Sequence, residues 1–154
     1  MEGLFLNGDK MNAQQMWDEY SKRDGLACSW EAWSYGCDPD ELASLTACGI
    51  KTATASLYML YEIEGEPLPV PGEHSVILDG NDEAVCIIRT DRVYIRPFRD
   101  VDEVQAWKEG EGDRSLSYWR NVHRDFFSDE LATMGIPFSE DMEIVCEEFV
   151  CVYP

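Results

Sequence analysis

The run "EPLPVPG", residues 66–72, places three prolines in seven positions, and neither a helix nor a central strand can pass through it. It divides the chain into a largely helical first part and a second part dominated by strands. Before it, "MNAQQMWDEYSKRDG" reads as a helix with Asn12 as its cap and Gly25 as its stop. Met16, Trp17 and Tyr20 fall at helical spacing and are expected to face the core. "SWEAWSYGC" reads as an aromatic-rich connector. "DPDELASLTACG" is expected to be a second helix, with Asp38 as N-cap, Pro39 at the first helical position and Gly49 at its end. Leu42, Leu45 and Cys48 would form its apolar stripe. "TATASLYMLYEIEG" carries both strand and helix signals.

After the prolines come three strand-like runs, "HSVILD", "AVCIIRT" and "RVYIRPF", with the turn "GNDE" between the first two. "DVDEVQAWKEG" is expected to be a short helix capped by Asp100. "SLSYWRNVHRDFFSDELATMG" would hold a helix opened by Ser115 and a second short one. "EIVCEEFVCVY" closes the chain as a strand. Helices that lead, strands that cluster and one helical interruption make an α+β chain, and short strands separated by turns suggest a small barrel. At 154 residues there is room for one domain with a real core.

Composition narrows the function classes. The net charge of −19 argues against binding nucleic acid non-specifically over the whole surface. Residues 89–124 nevertheless hold eight basic and seven acidic residues, a net +1, while the remainder carries −20. Two readings of that stretch stand: a local basic patch, or solvated arginines paired with nearby acids. Six cysteines without a C-x-x-C pair are expected to be reduced, mostly buried thiols. Two histidines are poor material for a metal site, and neither metal nor cofactor is expected. No apolar run approaches the roughly 20 residues of a membrane span. "MEGLFLNGDK" lacks the basic and apolar regions of a signal peptide, so a cytoplasmic protein is expected.

Two segments carry candidate chemistry. In "GIKTAT", Lys51 follows a helix end, where it either satisfies orphan carbonyls or works, desolvated, as a base or an anion clamp. Thr54, three residues on, becomes a nucleophile only if a neighbouring base takes its proton. An extended segment puts the two on opposite faces, and a turn lets them meet. In "EGEGDRS", Glu109, Glu111 and Asp113 would repel one another if held close, which raises one carboxyl towards acid–base work. The alternative is an acidic surface loop. In the following "YWRNVHRDFF", Trp119 and His123 share a helix face beside Arg120, either as a base-binding edge or as core.

Together these segments resemble the ASCH domain family. The matching pieces, in the family's order, are "WSYGCDPDELASL", "GIKTATAS", "PGEHSVILD", "CIIRT", "EGEGDRSLSYWRNVHRDFF" and "VCEEFVCVY". The resemblance implies a PUA-like fold: a small antiparallel β-barrel with helices flanking a cleft. Residues 1–29 would be a helix packed on a domain of residues 30–154, one structural domain overall. The family is thought to bind RNA or nucleosides. Some short members hydrolyse the acetyl amide of N4-acetylcytidine, and others are reported as ribonucleases. In the amidohydrolases a lysine and the second threonine of G-x-K-T-x-T act with a downstream glutamate. These roles fall on Lys51, Thr54 and Glu111, with Glu109 competing for the last. Where those enzymes carry an arginine two residues after the threonine, this chain has Ser56. Thr52, Glu109, Arg114, Ser115, Trp119, Arg120 and His123 are the expected ligand-binding residues. The expected partner is RNA or a modified nucleoside, with neither a membrane nor DNA as partner.

Overall fold

The computed structural model describes residues 10–154. The reading of the first residues as lacking a signal peptide lies outside the described residues. Helix α1 spans Ala13–Asp24. Its start is set by a reciprocal pair: Gln15 N donates to Asn12 Oδ1 at 2.8 Å, and Asn12 N donates to Gln15 Oε1 at 2.9 Å. Gly25, at φ 68°, closes it. Met16, Trp17 and Tyr20 are buried against Val76 and Ile87.

"SWEAWSYGC" is not a connector. Its first part is strand β1, Trp30–Ser34, which runs parallel to β3, His74–Leu78. As an edge strand it has one bonded neighbour, and Glu31, Ala32 and Ser34 are all exposed, so no two-residue alternation appears in the sequence. Helix α2, Pro39–Ala47, has Pro39 at its first turn. Asp38 takes the cap position at φ 43° without a side-chain capping bond, and Cys48 is exposed rather than part of the apolar stripe. The ambiguous segment holds both elements: strand β2, Ala53–Leu57, then helix α3, Tyr58–Glu64.

The two central strand runs form one long strand, β4, Ala84–Pro97, whose register shifts between Thr90 and Arg92. Helix α4, Glu103–Glu109, is capped by Asp102, whose Oδ1 accepts from Val104 N and Gln105 N at 3.1 Å. Asp100 instead ends a 3-10 turn, Phe98–Asp100. One helix, α5, Leu116–Ala132, replaces the expected two, because Trp119, His123, Phe127 and Leu131 keep a single buried stripe along it. Strand β5, Glu143–Tyr153, completes the sheet.

The strand order is β1-β3-β4-β5-β2. All pairs are antiparallel except β1 with β3. The sheet curls into a half-barrel with β1 and β2 as its unpaired edges. Helix α5 packs on one end through Phe127 and Leu131 against Leu57, Ile144 and Cys146. Helix α2 packs on the other through Leu42 and Ala43 against Ile77, Ile88 and Phe149.

The cysteines depart from the expectation of mostly buried thiols. All six are free, but only Cys86 and Cys146 are buried, while Cys28, Cys37 and Cys48 are exposed. Among the described residues, no helix is long and apolar enough to cross a membrane. We expect Asn12→Ala to lower the unfolding free energy by about 1 kcal/mol and Phe127→Ala by about 3–5 kcal/mol, measured by urea denaturation. Equal effects would contradict this division between cap and core.

Candidate functional site

Lys51 sits where three elements converge. Ile50 N and Lys51 N both donate to Leu45 O at 3.0 Å, which winds the chain tightly off α2. Thr52 N donates to Lys108 O at 2.7 Å, and Phe149 N donates to Thr52 O at 3.0 Å, which tie the segment to α4 and β5. From the other side comes the end of α4. Gly110, at φ 73°, lies so close that a Cβ there would stand 2.7 Å from Ile50 O. Only glycine lets the two backbones approach this closely. The approach carries Glu109 and Glu111 to Lys51.

The Lys51 side chain is 1% exposed. A buried ammonium needs an acceptor for each of its three protons and a counter-charge. Nζ donates to Glu111 Oε2 at 3.0 Å, to Glu109 Oε1 at 3.3 Å and to Glu109 O at 3.4 Å. The ring of Tyr35 covers it, with its centroid 5.3 Å from Nζ.

Glu109 is also fully engaged. Its Oε2 accepts from Trp119 Nε1 and, at 3.1 Å, from Gln105 Nε2, and its Oε1 lies 3.3 Å from His123 Nε2. Gln105 is held in turn by Tyr94, whose hydroxyl donates to Gln105 Oε1 at 2.9 Å, and it donates to Thr54 O at 3.2 Å. His123 Nδ1 lies 2.9 Å from Trp119 O, which can only accept, so Nδ1 carries a proton. Burial opposes charge on both partners. For Glu109, the charges of His123 and Lys51 and the hydrogen bonds from His123 and Trp119 override it and hold the carboxyl at about 2. For His123, the charge and hydrogen bond of Glu109, then the charge of Glu111, raise the imidazole above its ordinary value. Lys51, and His123 when protonated, thus face Glu109 and Glu111 in one cluster of opposed charges. Ligand atoms of Glu109, Glu111 and His123 lie within 4.8 Å of one another, a grouping that could hold a metal, but the Lys51 ammonium already donates to both carboxylates.

Beside this centre a cleft of about 550 Å³ opens between the unpaired edges β1 and β2. Trp33, Tyr35, Thr54, Tyr61, Phe126 and Glu147 line it, among others. Tyr35 belongs to both places, since it lines the cleft and covers Lys51. Lys51, Glu109 and Glu111 lie behind it and do not line the cleft. Thr54 does, opposite Glu147 in the strand register, and its hydroxyl bonds to neither Lys51 nor Glu111. Among the described residues, six carboxylates line the cleft (Glu31, Glu64, Glu66, Glu73, Glu130 and Glu147), and no lysine or arginine does.

Of the residues singled out in the sequence, Lys51, Glu109, Glu111, Trp119 and His123 therefore meet in one centre. Trp119 is 2% exposed and acts there as a donor to Glu109, so its ring offers no surface for stacking. Thr52 bonds through its hydroxyl to Lys108 O at 3.3 Å. Arg114 lies over Trp107, 3.8 Å from the ring centroid, and donates to Trp107 O and Ile50 O. Ser115 caps α5, and Arg120 donates to Arg99 O. Of the eight basic residues in 89–124, six are in ion pairs: Arg89, Arg92, Arg96, Arg99, Lys108 and Arg124. The paired-arginine reading holds for most of that stretch.

Sequence reasoning missed Tyr35, Gln105, Trp33 and Glu147. Gln105 had a signal, four residues before Glu109 on one helix face. Trp33 and Tyr35 were hidden in the supposed connector. Glu147 had only a weak one, an acid where strand alternation turns inward.

The ASCH domain model matches residues 31–153. The structure is similar to the crystal structure of an ASCH domain from Lactobacillus crispatus JV V101, with 32% identity, a TM-score of 0.86, and coverage of 98% of this chain and 100% of that one. It is also similar to a protein from Enterococcus faecalis V583, with 34% identity, a TM-score of 0.83, and coverage of 92% and 88% respectively. No curated protein matches the chain.

Removing Lys51 strands two carboxylates. Lys51→Ala is expected to cost about 3–5 kcal/mol of stability in urea unfolding, and a loss below about 1 kcal/mol would contradict the buried pairing. The centre also sets a pH signature. Glu109, held below its ordinary 4.5, adds stability that is complete above 4.5 and lost as pH falls through about 2. His123, held above its ordinary 6.5, adds stability that is complete below 6.5 and lost as pH rises through its raised value. The urea midpoint followed against pH should show both slopes, and Glu109→Gln should flatten both. Slopes unchanged in that variant would contradict the assignment.

Proposed function

The chain belongs to the ASCH domain family, a PUA-like α+β fold associated with RNA binding, and we propose that its cleft holds a nucleoside or an RNA-like ligand by the base. The cleft between β1 and β2 carries this reading. Its volume suits one nucleoside-sized ligand. Trp33, Tyr35, Tyr61 and Phe126 supply ring faces and edges for a planar base, with Trp33 and Tyr35 edge to face at 5.0 Å. The hydroxyls of Thr54 and Ser56 and the glutamates supply hydrogen bonds for base edges and sugar. With no lysine or arginine among the described lining residues, phosphates stay outside.

A second reading adds chemistry: hydrolysis of the amide of an N4-acylated cytidine. The Thr54 hydroxyl on the cleft wall favours it. Thr54 Oγ attacks the acyl carbon, the C–N4 bond breaks as the leaving amine takes a proton, and water then cleaves the threonyl ester to release the acid. For this Lys51 first passes a proton to Glu111 across their hydrogen bond; the neutral amine then takes the hydroxyl proton, and the protonated Glu111 passes its own to the leaving amine. Both roles require Tyr35, whose ring covers Lys51, to move aside.

Calorimetry with cytidine and N4-acetylcytidine, with chromatography of the products, tests both readings. The cleft reading predicts saturable binding that Trp33→Ala weakens by about 1–3 kcal/mol. The hydrolytic reading predicts release of cytidine and acetate, abolished in Thr54→Ala while binding persists. Binding without release removes the hydrolase and keeps the cleft. No binding of either nucleoside removes the cleft reading.

A further inference from the structure

We infer that the cleft selects a positively charged base, one with a fixed cationic ring such as an N-alkylated nucleobase, and that Glu147 is the residue that meets that charge. The inference rests on the cleft binding a nucleoside and is independent of any hydrolysis.

Glu147 is 9% exposed, on β5, and reaches the cleft wall beside Thr54. Thr90, itself 1% exposed, donates from Oγ1 to Glu147 Oε2 at 2.7 Å and fixes the carboxyl's orientation. The other oxygen meets no donor and no cation among the described residues. This contrasts with Glu109, whose burial is matched by Lys51 and His123. A carboxyl taken from water without a cation is costly, and a cationic ligand removes that cost.

The surroundings of Glu147 sharpen the contrast. Its charged neighbours in the cleft are further acids, among them Glu31 and Glu73. Burial pushes the Glu147 carboxyl up, the Thr90 hydrogen bond opposes this, and Glu31 and Glu73 reinforce the rise. Glu31 is likewise raised, by burial and by Glu73 and Glu66. So much uncompensated negative charge at one opening repels phosphate and attracts a cation. The rings of Trp33, Tyr35, Tyr61 and Phe126 stand among aliphatic and hydroxyl side chains in the remaining walls. Electron-rich ring faces attract cations as well, as in the aromatic cages that hold quaternary ammonium groups. A neutral base gains only the stacking, while a cationic base gains the stacking, the rings' attraction and the carboxylates.

The test compares cytidine with 3-methylcytidine, whose N3 methyl fixes a positive charge on the ring at neutral pH, by calorimetry on the full chain. The expected result is that 3-methylcytidine binds at least about ten-fold more tightly and that added salt shrinks the difference. In Glu147→Gln, where Thr90 keeps an acceptor, the preference falls towards parity. Glu31→Gln changes an exposed residue that leaves the core untouched, and it should reduce the preference in part. Equal binding of the two nucleosides by the wild type overturns the inference and leaves the cleft reading standing, as does a preference that survives both substitutions. No binding of either nucleoside overturns both.

Discussion

An ammonium that is 1% exposed cannot be left without counter-charge, and much of this molecule's architecture serves to supply it. The acids that meet Lys51 lie 58 and 60 positions away in the chain. Bringing them there requires α2 to end on a tight turn, α4 to end on a left-handed glycine, and the two backbones to touch at Gly110 and Ile50. His123 enters from α5 and Gln105 from α4, so three helices and the start of β2 are joined by one set of charges. With His123 protonated, the set carries no net charge. It is therefore a structural keystone as much as a candidate site, and Tyr35 links it to the cleft.

The electrostatics of the surface divide sharply. The basic residues between positions 89 and 124 are mostly neutralised by local acids, and Arg92 and Arg96 lie over Tyr94 at 4.3 and 4.6 Å. The cleft has the opposite character: its described lining holds acids and rings and no lysine or arginine. A polyanion tracking along the cleft floor would meet repulsion throughout. A base inserted alone would not, as the proposed binding of a nucleoside, or of a single RNA base with its backbone held outside, requires.

How far the sequence discloses this depends on where each element's partners lie. Helix α1 was legible to the residue because Asn12, Gln15 and Gly25 act within one turn of its ends. Strand β1 was not, because its bonds go to β3 some forty positions on and it has no alternation of its own. Asp91, at the register shift, split β4 into two apparent strands. Lys51 and the two glutamates were legible as motifs. The choice between Glu109 and Glu111 was not, since the ammonium takes both. Trp119 and His123 were correctly placed on one helix face, but whether that face meets solvent or Glu109 depends on how α5 packs. Glu147, Trp33 and Tyr35 become neighbours only when the sheet curls, and no local spacing records that.

The most direct test of the account is a map of amide chemical shifts in the isotope-labelled protein as cytidine is added. The account predicts perturbations at Trp33 on edge strand β1, at Tyr35 just beyond it, at Thr54 on edge strand β2 and at Glu147 on the neighbouring β5. Shifts confined to Arg92, Arg96, Lys108 and Arg114, with the cleft unmoved, would contradict it and place recognition on the outer rim.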